Sequence, residues 1–136
     1  MQVSQVMTAH PVTVTPDQSL REVAEIMKRI DTGFVPVGDN DRLVGMITDR
    51  DIVINGLACG KDADCAVSEV MTREVLYCRQ DEEVAAVARN MGANQVRRLP
   101  VVDADKRLVG IVSLGDLSTD GDPSAAGVAL EQISEE

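Results

Sequence analysis

Three short blocks of this chain occur twice, in the same order. Val3-Ser4-Gln5-Val6-Met7-Thr8 returns as Val67-Ser68-Glu69-Val70-Met71-Thr72, Pro36-Val37 returns as Pro100-Val101, and Arg42-Leu43-Val44-Gly45 returns as Arg107-Leu108-Val109-Gly110. The first two recur 64 positions on (67 − 3 and 100 − 36) and the third 65 (107 − 42), so the second copy holds one extra residue in the turn between. Self-similarity at a fixed period predicts two copies of one small unit related by a pseudo-twofold axis. A half of about 60 residues is marginal alone, because so small a body buries too little of its surface, so the halves are expected to share a core. The expected division is 1–60 for the first repeat, 61–120 for the second and 121–136 for a tail.

Composition removes several function classes. Apolar residues make up 44% of the chain, enough for a globular core, and no run is long and apolar enough to cross a bilayer. The N-terminus lacks the basic-then-apolar order of a secretion signal, so the expected location is cytoplasmic and no membrane partner is expected. A formal charge of −10 argues against a nucleic-acid partner, which selects a basic face. Phe34 and Tyr77 are the only aromatic residues, so there is no platform for stacking bases of a single strand. Cys59, Cys65 and Cys78 are an odd number without CxxC spacing and are read as reduced thiols; neither they nor His10 form a recognisable metal motif.

Within each copy the order strand, helix, strand, strand, helix is legible. Pro11-Val12-Thr13-Val14-Thr15 favours a strand. Ser19 stands three before Glu22, the capping-box spacing, and Leu20, Val23, Ala24, Met27 and Ile30 follow at helical period. Phe34–Val37 and Leu43–Thr48 read as strands across the polar turn Asp39-Asn40-Asp41, and Asp49-Arg50-Asp51 opens a second helix running to about Cys59. The second copy repeats this with a strand at Val75–Cys78, a helix from Asp81 to about Asn94, strands at Arg98–Val102 and Leu108–Ser113, and a helix from Gly115-Asp116. The tail reads equally as a short helix or a frayed end. The fold class is therefore α/β (α+β), a tandem repeat of two β-α-β-β-α units.

Val6-Met7-Thr8, Gly33-Phe34-Val35-Pro36-Val37 and Arg42 to Ile52, with their second-copy counterparts Val70-Met71-Thr72, Val96 to Asp103 and Arg107 to Leu117, resemble the cystathionine β-synthase (CBS) domain pair, or Bateman module. The resemblance covers about residues 3 to 118 and is closest to stand-alone bacterial CBS-pair proteins. It implies a regulatory module, not an enzyme. Clefts between the repeats would bind an adenine nucleotide or related adenosyl ligand (AMP, ADP, ATP, NAD or S-adenosylmethionine) as a regulatory ligand, with no resident cofactor. A homodimer and signalling to a protein partner are also implied.

The family's recurring contact is Ser/Thr-x-x-Asp at the last strand-to-helix turn, present here as Thr48-Asp49-Arg50-Asp51 and Ser113-Leu114-Gly115-Asp116. A carboxylate can accept from both ribose hydroxyls, a hydroxyl three residues earlier reaches sugar or phosphate, and N–H groups at a helix start favour phosphate. The same spacing is also an ordinary helix cap. By the same resemblance the second strand supplies base and phosphate contacts from Gly33, Phe34 and Val35 in the first copy and Val96, Arg97, Arg98 and Leu99 in the second, while Val12, Thr13, Leu76 and Tyr77 line the clefts. Adjacent arginines suit phosphate, and they equally serve as solvated charge on an acidic protein. Strand alternation puts Arg97 on the face of Leu99, which predicts Arg97 as the phosphate contact, with Arg50 substituting in the first copy. A structural dimerisation module with degenerate clefts is the alternative. An enzyme is disfavoured because His10 has no nucleophilic or basic companion at triad-like spacing and no Walker loop is present.

Overall fold

The computed structural model describes residues 1–120; the tail from 121 onward lies outside them. The chain forms two compact units, and their membership is offset from the 1–60 and 61–120 division. A mid-chain unit comprises Val12–Val75, and a split unit joins Met1–Pro11 to the chain from Leu76 onward. Each Val-x-x-Val-Met-Thr block is lent to the sheet of the opposite copy.

The split unit holds a four-stranded sheet in the order β1–β6–β5–β4, with β1 Thr8–Ala9, β4 Cys78–Arg79, β5 Arg98–Val102 and β6 Leu108–Ser113. β1–β6 and β6–β5 are antiparallel and β5–β4 is parallel. Helix α3 (Val84–Ala93) buries Val84, Val87, Ala88 and Met91 in one cluster with Val3, Val6, Leu99, Val101 and Val112, and α4 (Leu114–Asp120) adds Leu117. Residues Gln80 and Glu82 accept backbone bonds from Ser4 and Val3, so the helix starts at Val84 rather than Asp81.

The mid-chain unit follows the same plan. β2 (Phe34–Asp39) and β3 (Arg42–Thr48) form an antiparallel hairpin whose two turn residues, Asn40 and Asp41, take positive φ of 51° and 66°. Asn and Asp are the non-glycine residues best suited to that turn. Val14 pairs in parallel with Val37, and Thr72 pairs antiparallel with Met46, so the order Thr72–β3–β2–Val14 reproduces the order of the split unit. The expected strand Pro11–Thr15 contracts to this one bridge, because the Thr15 N–H turns to Gln18 Oε1 at 2.8 Å. Helix α1 (Leu20–Ile30) begins with the expected capping box between Ser19 and Glu22 and buries Leu20, Val23 and Met27; Ala24 and Ile30 stay exposed. After β3 the chain winds through α2 (Asp49–Asp51), a wide π-type turn Ile52–Gly56 and a tight 3-10 turn Leu57–Cys59.

The repeated words recur together because they touch. A Cβ on Gly45 would lie 2.8 Å from the Thr72 carbonyl oxygen and 3.0 Å from Met71 Sδ. A Cβ on Gly110 would lie 2.9 Å from the Thr8 carbonyl and 2.5 Å from Met7 Sδ. Each Leu-Val-Gly strand therefore needs its glycine to let the other copy's Met-Thr segment approach.

Candidate ligand sites

The sequence-predicted site residues fall into two sets, each wholly inside one unit. In the mid-chain unit, Phe34 and Thr48 are directly opposite on the hairpin. Thr48 Oγ1 accepts from the Asp51 N–H at 3.0 Å, and Asp51 Oδ2 accepts from the Thr48 N–H at 3.0 Å. Asp51 Oδ1 also accepts from Asn55 Nδ2 at 3.3 Å. In the split unit, Arg98 is opposite Ser113. The Ser113 N–H donates to Asp116 Oδ2 at 2.9 Å and the Asp116 N–H to Ser113 Oγ at 3.2 Å. Both Ser/Thr-x-x-Asp turns are thus reciprocal helix caps. A carboxylate oxygen has two lone pairs, so capping leaves each Asp able to accept from a sugar hydroxyl as well.

The first-strand positions are exposed apolar residues in both units: Val12 at 41%, Leu76 at 48% and Tyr77 at 45% relative accessibility. Thr13 is exposed beside Val12. They precede Val14 and Cys78, whose parallel pairings with Val37 and Val101 carry them alongside the starts of β2 and β5. The Tyr77 ring is covered by Lys106, whose ammonium lies 5.4 Å from its centroid. Lys106 sits in the β5–β6 turn, at the opposite end of the hairpin from Arg98 and Ser113.

Two expectations need correction. Val35 and Leu99 are buried in the cores of their own units, so their side chains are not available to line a site; only their backbone is. Since Leu99 faces the core, the expected pairing of Arg97 with Leu99 on a ligand-facing side does not hold. Strand alternation begins only at Arg98, which faces away from the core; Arg97 lies in the bend before it, and both are exposed. Val96 is half-buried and packs against the core. The second correction concerns backbone N–H groups at the start of α2. The Asp49 N–H donates to the Gly33 carbonyl at 2.9 Å, the Arg50 N–H to Asp49 Oδ1 at 2.8 Å, and the Asp51 N–H to Thr48, so all three are already engaged.

Asp49 is the residue that sequence reading treated only as helix-start charge. Its carboxylate lies against Gly33, where a Cβ would come within 2.5 Å of Oδ2. The signal was Gly33 itself, a glycine without positive φ at the head of a strand, which marks a close approach. Arg50 lines an open groove of about 340 Å3 with Asp49, Val53 and Ile54. Cys78 lies in the core of the split unit, where burial pushes its thiol up to about 12. Cys65 is also raised, first by desolvation and then by its bond to Glu69. Among the described residues no three His, Cys, Asp or Glu side chains converge in a metal-binding group, and no helix is long and apolar enough to cross a membrane.

Known proteins share this plan. The chain is 41% identical to the CBS domain-containing protein YhcV of Bacillus subtilis over 133 residues, 97% of this chain and 94% of YhcV. The solved CBS domain pair of protein MJ0100, in complex with 5′-methylthioadenosine and S-adenosyl-L-methionine, superposes with a TM-score of 0.75 at 34% identity, covering 87% of this chain and 97% of that one. CBSX2 in complex with AMP superposes with a TM-score of 0.76 at 28% identity, covering 98% of each. The CBS domain itself matches twice, over residues 3–56 and 67–119, so the chain belongs to the CBS domain family as a tandem pair.

Proposed function

We propose that each unit grips an adenosyl ligand with its Ser/Thr-x-x-Asp turn, and that the protein works as a homodimer that passes ligand occupancy to a protein partner. The observation that carries this reading is the duplication of one three-part arrangement. A capped turn with a carboxylate stands beside the start of the second strand, and exposed apolar residues precede the first. In MJ0100 and CBSX2, proteins of the same fold, adenosyl ligands are bound. The dimer rests on a helical face that nothing in its own unit covers: Val53, Ile54 and Leu57 are 52%, 45% and 61% accessible. Three large apolar residues exposed within five positions mark an association surface.

The test is a thermal-shift panel of adenosine, AMP, ADP, ATP, NAD, S-adenosylmethionine and 5′-methylthioadenosine. A ligand that binds only the native state raises stability by about 2.7 kcal/mol at a hundredfold excess over Kd. A saturable rise in Tm without turnover supports the reading. No shift with any of them points to a structural dimerisation module instead. Light scattering that gives a monomer mass at micromolar concentration removes the dimer.

A further inference from the structure

The two units build the same turn and fill it with opposite charge. In the split unit the Leu114 N–H donates to the Arg97 carbonyl at 3.0 Å, the counterpart of the bond from Asp49 to Gly33. Leu114 therefore stands where Asp49 stands, and Arg97 and Arg98 stand where Gly33 and Phe34 stand. In the mid-chain unit the Asp49 carboxylate occupies the side-chain space over Gly33 and caps the Arg50 N–H. That carboxylate is an anion supplied by the protein itself, placed against the start of the second strand, where the split unit carries Arg97 and Arg98 instead. Arg50 lines the same open groove as Asp49.

We infer that the two sites select adenosyl ligands by the charge on their 5′ substituent. The split unit takes the 5′-phosphorylated nucleotide, and the mid-chain unit takes a ligand whose 5′ group is neutral or cationic, with Asp49 as the excluding residue. This rests on the adenosyl reading above. A phosphate monoester brings a charge of about −1.5 to −2 at neutral pH. Beside Asp49 it meets a like charge. Beside Arg97 and Arg98 it meets planar cations suited to phosphate oxygens. A thioether brings no charge to be repelled, and a sulfonium is attracted by the same carboxylate.

Calorimetric titration of the full chain with AMP and with 5′-methylthioadenosine tests this, because the two share adenosine and differ in the 5′ group. AMP is expected to bind one equivalent tightly. 5′-Methylthioadenosine is expected to bind a further equivalent when AMP is already saturating. Asp49→Asn keeps an acceptor for the Arg50 N–H and removes only the charge. It should strengthen AMP binding at the second site by about fivefold while changing 5′-methylthioadenosine binding by less than about twofold, since one like charge at an exposed site is worth roughly 1 kcal/mol. Arg97→Met combined with Arg98→Met should abolish the tight AMP equivalent, and the affinity it removes should itself shrink at high salt. Two AMP equivalents of equal affinity in the unaltered protein, or an Asp49→Asn variant indistinguishable from it, would overturn the charge assignment while leaving the adenosyl reading standing. Absence of heat with both ligands would remove the adenosyl reading, and this inference with it.

Discussion

The helices α1 and α3 occupy equivalent places in the two units and are specified by different means. α1 carries its own start and stop: the Ser19–Glu22 box at its head, Lys28 and Arg29 in its last turn, and Asp31 in the left-handed conformation at its end. Only Leu20, Val23 and Met27 are buried. α3 has no side-chain cap bond at Glu83, no acidic residue in its first turn and no basic residue in its last, but Val84, Val87, Ala88, Met91 and Gly92 are all buried. Local signals hold the first helix and burial holds the second, so the units should respond to different injuries. Met91→Ala should cost about 3–5 kcal/mol, since Met91 is fully buried, and its repeat partner Met27→Ala, at the rim of its core, nearer to about 2 kcal/mol. Urea denaturation of each variant measures the difference. Equal losses would mean that α1 depends on its core as fully as α3 does.

The glycines that admit the exchanged segments come next. Gly110→Ala and Gly45→Ala each push a methyl onto a backbone oxygen and a methionine sulfur, and about 1–3 kcal/mol of overpacking is expected from each. Gly110 should be the worse of the two. Its clash with Met7 Sδ is closer, and the segment displaced is β1, a two-residue strand with register on both Ile111 and Gly110. Only one bridge, Met46 with Thr72, is at stake beside Gly45. Loss of protection at the amides of Thr8 and Thr72 in hydrogen exchange would report the two cases separately.

What was legible in the sequence follows the range of each interaction. The Asn40-Asp41 turn, the Ser19 box and the two apolar strands β3 and β6 depend on residues a few positions apart, and they formed as read. The exchange of the Val-Met-Thr blocks depends on long-range pairings, Thr8 with Ile111 and Thr72 with Met46, and no local pattern states it. The strand at Pro11–Thr15 was overestimated because β propensity cannot see that Thr15 prefers its local bonds with Gln18 and Asp17. In the candidate sites the two Ser/Thr-x-x-Asp turns were legible, since three-residue spacing is local. The burial of Val35 and Leu99 was not, because which face of a strand meets the core is decided by what packs on it.

The two carboxylates should also part company. Asp51 is bonded by the Thr48 N–H and by Asn55, while among the described residues Asp116 shows only the counterpart of the first, the bond from the Ser113 N–H. Asp116→Ala is expected to weaken nucleotide binding by about 1.5–3 kcal/mol, the usual size for hydrogen bonds to a charged group. Because Asp116 also caps α4, the ligand-free Tm should fall slightly as well. Asp51→Ala should lower the ligand-free Tm further. A Tm loss for Asp116→Ala with unaltered nucleotide affinity would make it a cap and nothing more.

The smallest expected effect isolates a single atom type. Cys78 pairs with Val101 in the split unit, and its repeat partner Val14 pairs with Val37 in the mid-chain unit. Both are buried in their cores, and only one can ionise. Burial, and after it the Glu82 carboxylate, raises the Cys78 thiol to about 12, whereas an unfolded cysteine titrates near 8.5. A raised folded-state pKa means that the unfolded chain loses its proton first as pH rises. The stability contributed by the neutral thiol is therefore complete below about pH 8.5 and is lost between there and about 12, at no more than about 1.4 kcal/mol per pH unit. Other groups titrate in this range, so the informative quantity is the difference from Cys78→Val, which gives the split unit the residue that the mid-chain unit already has. Denaturant midpoints at pH 8 and pH 10 should fall more steeply for the unaltered protein than for the variant. Parallel lines would mean that the Cys78 thiolate reaches water in the folded state and that the split core is open at β4.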